Sequence, residues 1–195
     1  IIGFGKIGHA LAKAFARNCI EVSVSTTREP ASFASDAAAV GPGVIPKTLA
    51  EAVKADIIFL AVRFESHPEV AKVLPNWKGK TIIDAMNTLA ALEELDGLPS
   101  SAAVAKAFTG ARLVKGFNHL AAAVLAQDAA VHGGRRVVFL ASDDGGAVAP
   151  VAALAERFGF APVNLGALAG GGALVHAQDG IWGPLIFQDL FKKES

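Results

Sequence analysis

The first eight residues, Ile1-Ile2-Gly3-Phe4-Gly5-Lys6-Ile7-Gly8, constrain this chain more than any other stretch. Apolar residues run into three glycines at the G-x-G-x-x-G spacing, and a helical apolar pattern (Ile7, Ala10, Leu11, Ala14, Phe15) follows. The pattern predicts the end of a buried strand, a tight turn and the opening of a helix, which is how a chain presents its backbone to a dinucleotide. Gly3 permits the turn. Gly5 lets a pyrophosphate approach the main chain, and Gly8 lets the helix pack against the strand. The helix start adds free N–H groups and a positive dipole end. Only two residues precede Gly3 and neither is an initiator Met, so the natural chain is expected to start earlier than Ile1.

The remaining sequence alternates short apolar runs with helical patterns. Strands are expected at 21–25, 44–46, 56–62, 81–85, 112–117, 136–141 and 161–165, the one at 56–62 being apolar enough to be buried on both faces. Helices are expected at 6–17, 32–40, from Thr48 to about Ala55, from Ser66 onward, at 101–108 and at 147–158. Thr48 with Glu51 reads as a capping box, and Ser66 as an N-cap ahead of Pro68. The acidic stretch 89–97 reads as helical or irregular. The glycine-rich 166–172 reads as a mobile loop, and 174–192 as a helical segment interrupted at 180–184. Alternation of this kind specifies an α/β fold, a doubly wound, mostly parallel Rossmann sheet with extra strands and a short C-terminal helical extension. Residues 1–195 form one domain, in which 166–195 contribute to the substrate pocket or a dimer contact.

The end of the second strand discriminates between the two nicotinamide dinucleotides. An NAD site places a carboxylate about 20 residues past the fingerprint. No acid occurs from Val22 to Arg28; Ser25, Thr26, Thr27 and Arg28 stand there instead, the donors a 2′-phosphate needs. Ligands in such sheets lie beyond the C-terminal strand ends. Val62, Arg63 and Phe64 after the fourth strand are expected along the nicotinamide-ribose side, and Ala61 beside them is a further cofactor-binding candidate. Asn87 and Asn118 either fix a carboxamide or substrate group or cap the segments that follow. Asp84 reads as a turn cap. His119 is the best placed of the five histidines for catalytic proton transfer, against a packing or substrate-contact role. His176, with Gln178 and Trp182, is a candidate lining of a second ligand's pocket; His9 lies near the phosphates, and His67 and His132 read as surface residues.

Composition narrows the classes. Lys plus Arg and Asp plus Glu both number 18, which argues against a nucleic-acid surface, and a single cysteine excludes an intrachain disulfide or multi-cysteine metal site. Cys19 reads as a small turn residue. No metal spacing occurs, no apolar run reaches the ~20 residues of a membrane span, and no signal peptide is visible, so a cytoplasmic location is expected.

The chain resembles the NADPH-dependent coenzyme F420 reductase family, similar in its dinucleotide-binding fold to the oxidoreductase domain of the STEAP metalloreductases. The resemblance rests on residues 3–8, Thr27-Arg28, Leu60-Ala61-Val62, Ile83-Asp84-Ala85-Met86-Asn87 and Val114-Lys115-Gly116-Phe117-Asn118, and covers nearly the whole chain. It implies NADP(H) along these segments. It also implies F420 or a flavin as second ligand against the nicotinamide, with the C-terminal part helping to form that pocket and a dimer. Family members commonly carry Pro where this chain has Arg63, which either adds charge beside the cofactor or alters the loop.

The expected function is therefore an NADPH-dependent oxidoreductase that passes hydride between NADP(H) and a small-molecule, flavin-like acceptor such as F420. Few ionisable groups are needed for such a transfer, because the protein's task is to orient two rings. Alternatives are a reductase of a small carbonyl or imine, and a non-catalytic NADP(H)-binding sensor or partner module. Leu174, Ile181, Leu185, Phe187 and Phe191 either seat a homodimer or close the domain's own core.

Overall fold

The computed structural model describes residues 1–88, 95, 99–131, 133–176 and 180–188. The stretch 89–97 apart from residue 95, His132, Gln178 and Phe191 lie outside the described residues. After the fingerprint come α1 (Lys6–Arg17), β1 (Val22–Val24), α2 (Ala34–Val40), β2 (Val44–Pro46), α3 (Leu49–Ala52), β3 (Ile57–Leu60), α4 (His67–Ala71) and β4 (Thr81–Asp84). The chain continues through α5 (Ser100–Ala107), β5 (Arg112–Gly116), α6 (Ala122–Leu125), the short β6 (Ala130–Val131) and β7 (Gly134–Arg135), β8 (Val137–Ala141), α7 (Val148–Arg157) and β9 (Ala161–Asn164).

Ile2 joins these strands into one surface. It bridges Ser25, just past β1, and Leu60 of β3, both in parallel sense, so the pair β2–β1 continues into the order β3-β4-β5-β8-β9. β3, β4 and β5 are parallel neighbours, whereas β8 runs antiparallel to β5, with Gly116 opposite Leu140. The sheet is thus mostly parallel, with one reversal. The reversal follows from the β5–β8 connection, which is no simple helical crossover: it holds α6 and the antiparallel β6–β7 pair. Arg17 at the end of α1 holds this connection, donating to the carbonyls of Ala126 (2.6 Å) and Gln127 (2.9 Å).

Strand periodicity sorts side chains into two layers. Phe59, Ile83, Val114, Val138 and Leu140 pack with Leu11 and Phe15 of α1 and Val151 of α7. Ile58, Leu60, Ile82 and Leu113 pack on the other face with Val70 of α4, Val104 of α5 and Trp77. Both faces are covered, as a parallel sheet requires; among the large apolar side chains of the described strands, Ile57 at the start of β3 is the exposed one, at 38%. β8 and β9 are covered on their second face by the C-terminal extension. Val137, Phe139 and Ala161 pack there with Val175, Trp182 and Phe187.

Several local expectations are corrected. Ser66 makes no side-chain cap; a 3-10 turn, Phe64–Ser66, leads directly into α4. His67 is buried rather than on the surface, and its Nδ1 contacts the Phe64 carbonyl. The glycine-rich 166–172 is packed: Leu168 and Gly172 are buried, Asp143 accepts from the Leu168 N–H at 2.9 Å, and a Cβ on Gly171 would sit 1.9 Å from the Leu165 carbonyl oxygen. Where a longer helical segment is expected after it, the described extension forms a 3-10 turn, Gly171–Val175, and further turns. Phe187 closes the domain's own core, while Ile181 and Leu185 remain exposed.

Candidate functional site

The glycine turn is built as its spacing predicts. Gly3 has φ +99°, in the left-handed region, and a Cβ there would lie 2.4 Å from the Ala61 carbonyl oxygen. A Cβ on Gly8 would lie 1.9 Å from the Gly3 carbonyl oxygen, so only glycine lets α1 pack this close. Gly5 differs from both: nothing lies within 4 Å of a Cβ added there, and the residue is exposed. Its backbone faces open space. Gly5 is also the N-cap of α1 and offers no side-chain cap, and no acid stands in the first turn. The N–H groups of Lys6, Ile7 and Gly8 therefore begin a helix whose positive end is left for an anion.

Main-chain bonds lock the turn between its neighbours. Ile2 N–H donates to Phe59 O (2.8 Å), Gly3 N–H to Ser25 O (2.9 Å) and Ala61 N–H to Ile2 O (2.8 Å). Beside the turn opens a cleft of about 590 Å³, lined by Ile2, Gly3, Phe4 and Gly5, by Thr26, Thr27 and Arg28, by Ala61, Val62 and Arg63, and by Leu49, Glu65, Ser66, Glu69 and Val70. Residues from the ends of β1 and β3 thus meet across the fingerprint. Thr26 Oγ1 accepts from the Arg28 N–H at 3.0 Å, a hydroxyl turn that shapes the loop. The Arg28 guanidinium lies over the Phe33 ring, 5.6 Å from its centroid, and Phe33 touches Phe4, which stacks on His9 at 3.8 Å.

Not every predicted residue reaches this cleft. Ser25 is fully buried and its hydroxyl has no partner among the described residues, so it stands behind the cleft while Thr26, Thr27 and Arg28 form its wall. Lys6, Ile7 and Gly8 lie on α1 beside the turn rather than in the cleft lining. Asn87 and Asn118 come together beyond β4 and β5 and hold each other: Asn87 Nδ2 donates to Asn118 O (2.9 Å), and Asn118 Nδ2 to Asn87 Oδ1 (3.2 Å) and Val175 O (3.2 Å). Asn87 is exposed and Asn118 buried. Phe117, just before, has φ +61°, costly for a bulky side chain, and this kink turns the chain at the end of β5.

At His119 the contacts are those of the packing alternative. Its Nε2 hydrogen-bonds the Trp182 carbonyl at 3.0 Å and its Nδ1 is enclosed without a partner, while the ring packs edge-on to Phe139. His119 thereby fastens the C-terminal extension to the sheet.

The pattern of the sequence hid one polar cluster. Asp84 and Lys115 are register partners on β4 and β5, and both are buried. Lys115 Nζ donates to Asp84 Oδ2 at 3.1 Å and also to the Met86 carbonyl; Ser101 Oγ donates to the same carboxylate oxygen at 2.8 Å. Asp84 Oδ1 accepts from the Met86 N–H at 3.0 Å, the turn cap expected of it. No local signal marks this cluster, because Lys115 reads like any lysine near a strand end. Lys115, Ser100, Ser101, Leu168, Gly172 and His176 border a second, smaller cavity of about 150 Å³ against the extension. Among the described residues no His/Cys/Asp/Glu group is arranged to hold a metal, and no helix is long and apolar enough to cross a membrane.

Comparison with known proteins agrees with this architecture. The family described as NADP oxidoreductase, coenzyme F420-dependent, matches residues 1–88. A hypothetical protein from Sinorhizobium meliloti of known crystal structure is 36% identical, with a TM-score of 0.87 over 98% of this chain and 94% of that one. A putative F420-dependent NADP reductase from Arthrobacter is 24% identical, with a TM-score of 0.70 over 86% and 83% of the two chains. A reductive aminase from Aspergillus terreus, solved with NADPH and ethyl levulinate, is 20% identical, with a TM-score of 0.65 over 89% of this chain but 56% of that one. The last two likenesses bear on the fold. No curated protein matches the chain.

Proposed function

Because residues 1–88 match the family described as NADP oxidoreductase, coenzyme F420-dependent, we propose that the chain binds NADP(H) in the cleft beside the glycine turn and transfers hydride between it and a flavin-like acceptor such as F420. The observation that carries the cofactor assignment is the meeting of an open Gly5 backbone with Thr26, Thr27 and Arg28 in one cleft. Gly5 and the start of α1 hold the pyrophosphate through N–H groups. The two threonine hydroxyls and the Arg28 guanidinium hold the 2′-phosphate, with no acid between Val22 and Arg28 to repel it. Ala61 and Val62 then carry the dinucleotide past the end of β3 toward the Asn87–Asn118 pair, where Asn87 is exposed to meet the nicotinamide end. The reduced nicotinamide supplies the hydride; the chain supplies position, and no acid or base is asked of His119.

The test is spectroscopic. The purified chain is mixed with NADPH and, separately, F420, FMN or FAD, and bleaching of the acceptor is followed. Bleaching of F420 or a flavin at catalytic protein concentration is expected. Tight NADPH binding with no turnover on any of the three would instead favour a non-catalytic binding module.

A further inference from the structure

We propose that Arg63 is a second specificity-determining residue, gripping the 2′-phosphate of NADPH from the side of the cleft opposite Arg28. The inference deepens the reading above and rests on it, since it takes the cleft to be the dinucleotide site.

Position is the first argument. Ile2 bridges Ser25 on one side and Leu60 on the other, both in parallel sense. Arg28 stands three residues beyond Ser25, and Arg63 three residues beyond Leu60. The two arginines therefore follow the strands on either flank of the fingerprint, and both line the same cleft. That cleft excludes Lys6, Asn87 and Asn118 and is walled by apolar Leu49, Val62 and Val70. Apolar walls rimmed by Arg28 and Arg63 suit the adenosine end of a dinucleotide.

Charge is the second. A ribose phosphate carries about −1.5 to −2 near neutral pH, more than one guanidinium balances. The lining holds two carboxylates, Glu65 and Glu69, of which Glu69 is already paired to Lys72 at 2.6 Å, so a second cation is needed all the more. Arg63 is exposed and forms no ion pair among the described residues. Its backbone is fixed all the same, since its carbonyl accepts from the Ser66 N–H at 2.9 Å at the head of the 3-10 turn. A held backbone with an unengaged planar cation is what bidentate phosphate recognition uses.

Calorimetric titration with adenosine 2′,5′-bisphosphate and with 5′-AMP tests this, because the two probes differ only in the 2′-phosphate. Arg63→Ala should weaken the bisphosphate about 10-fold and 5′-AMP less than about 2-fold, with Arg63→Lys recovering part of the loss. No loss for either probe, or an equal loss for both, overturns the assignment. Failure of the unmutated chain to bind either probe would overturn the reading of the cleft itself, and the two failures are thereby distinguished. Arg63 is exposed, so an unchanged thermal melt confirms that the variant is folded.

Discussion

Arg28 and Lys115 are both cations at strand ends, and their surroundings give them opposite tasks. Arg28 is exposed, rests on Phe33 and faces the cleft. A charge-assisted contact of this kind contributes about 1.5–3 kcal/mol, so Arg28→Ala is expected to weaken NADPH binding by roughly 10- to 100-fold while leaving NADH nearly unchanged. Fluorescence titration with both cofactors checks it. Lys115 is buried and spends its charge on Asp84. Removing one member of a buried pair strands the other, so Lys115→Met should cost about 3–5 kcal/mol in a denaturant melt. Adding Asp84→Asn to that variant should recover part of the loss, and a double variant no more stable than the single one would show that the pair is not the source. Nothing in the sequence around Lys115 distinguishes it from a solvated lysine at a strand end. Its partner is 31 residues away and becomes adjacent only through the register of β4 on β5.

Elements closed by neighbouring residues were legible, and those closed by distant ones were not. α3 begins as its four-residue signature implies. Thr48 Oγ1 accepts from the Glu51 N–H at 3.3 Å, and the Glu51 carboxylate accepts from the Thr48 N–H at 2.9 Å. Thr48→Ala should destabilise the domain by about 1 kcal/mol in urea. The Thr48 hydroxyl and N–H hold the Glu51 carboxyl below its ordinary value of 4.5. A lowered folded value contributes stability above the ordinary carboxylate range, lost as pH falls through the lowered value. Protection of α3 amides from hydrogen exchange should therefore decline at acid pH in the natural chain, and Glu51→Gln should flatten that dependence. Ser66 looked equally like a cap, yet the 3-10 turn before it takes the chain into α4 without its hydroxyl. The reversal of β8 and the β6–β7 pair left no local signature either, because strand direction is decided by the path of the connecting chain.

For the whole molecule, cofactor and fold are linked through the sheet. The fingerprint sits between β1 and β3, so a ligand held there braces both parts of the sheet. A ligand at 100 times its dissociation constant stabilises by about 2.7 kcal/mol, which for a chain of this size raises the melting temperature by several degrees (~2–4 °C per kcal/mol). NADPH should give that shift and NADH at equal concentration a much smaller one, in a thermal melt followed by circular dichroism. The C-terminal extension is a second brace: His119 reaches the Trp182 carbonyl 63 residues on, and Phe139, Trp182 and Phe187 pack around that bond.

Taken alone, the order of residues determined the glycine turn, the alternation of strands and helices, the capping box on α3 and the acid-free run Thr26-Thr27-Arg28 to which the 2′-phosphate is proposed to bind. Each depends on spacings of a few residues, over which backbone sterics and hydrogen bonding act directly. Tertiary structure decided the rest: that Ser25 is shut behind the cleft, that Asp84 meets Lys115, that His119 is a fastener, and that Arg63 faces the same space as Arg28. These are matters of register and burial. Residues far apart in the chain acquire neighbours only when the sheet is assembled, and a side chain's chemistry follows from those neighbours.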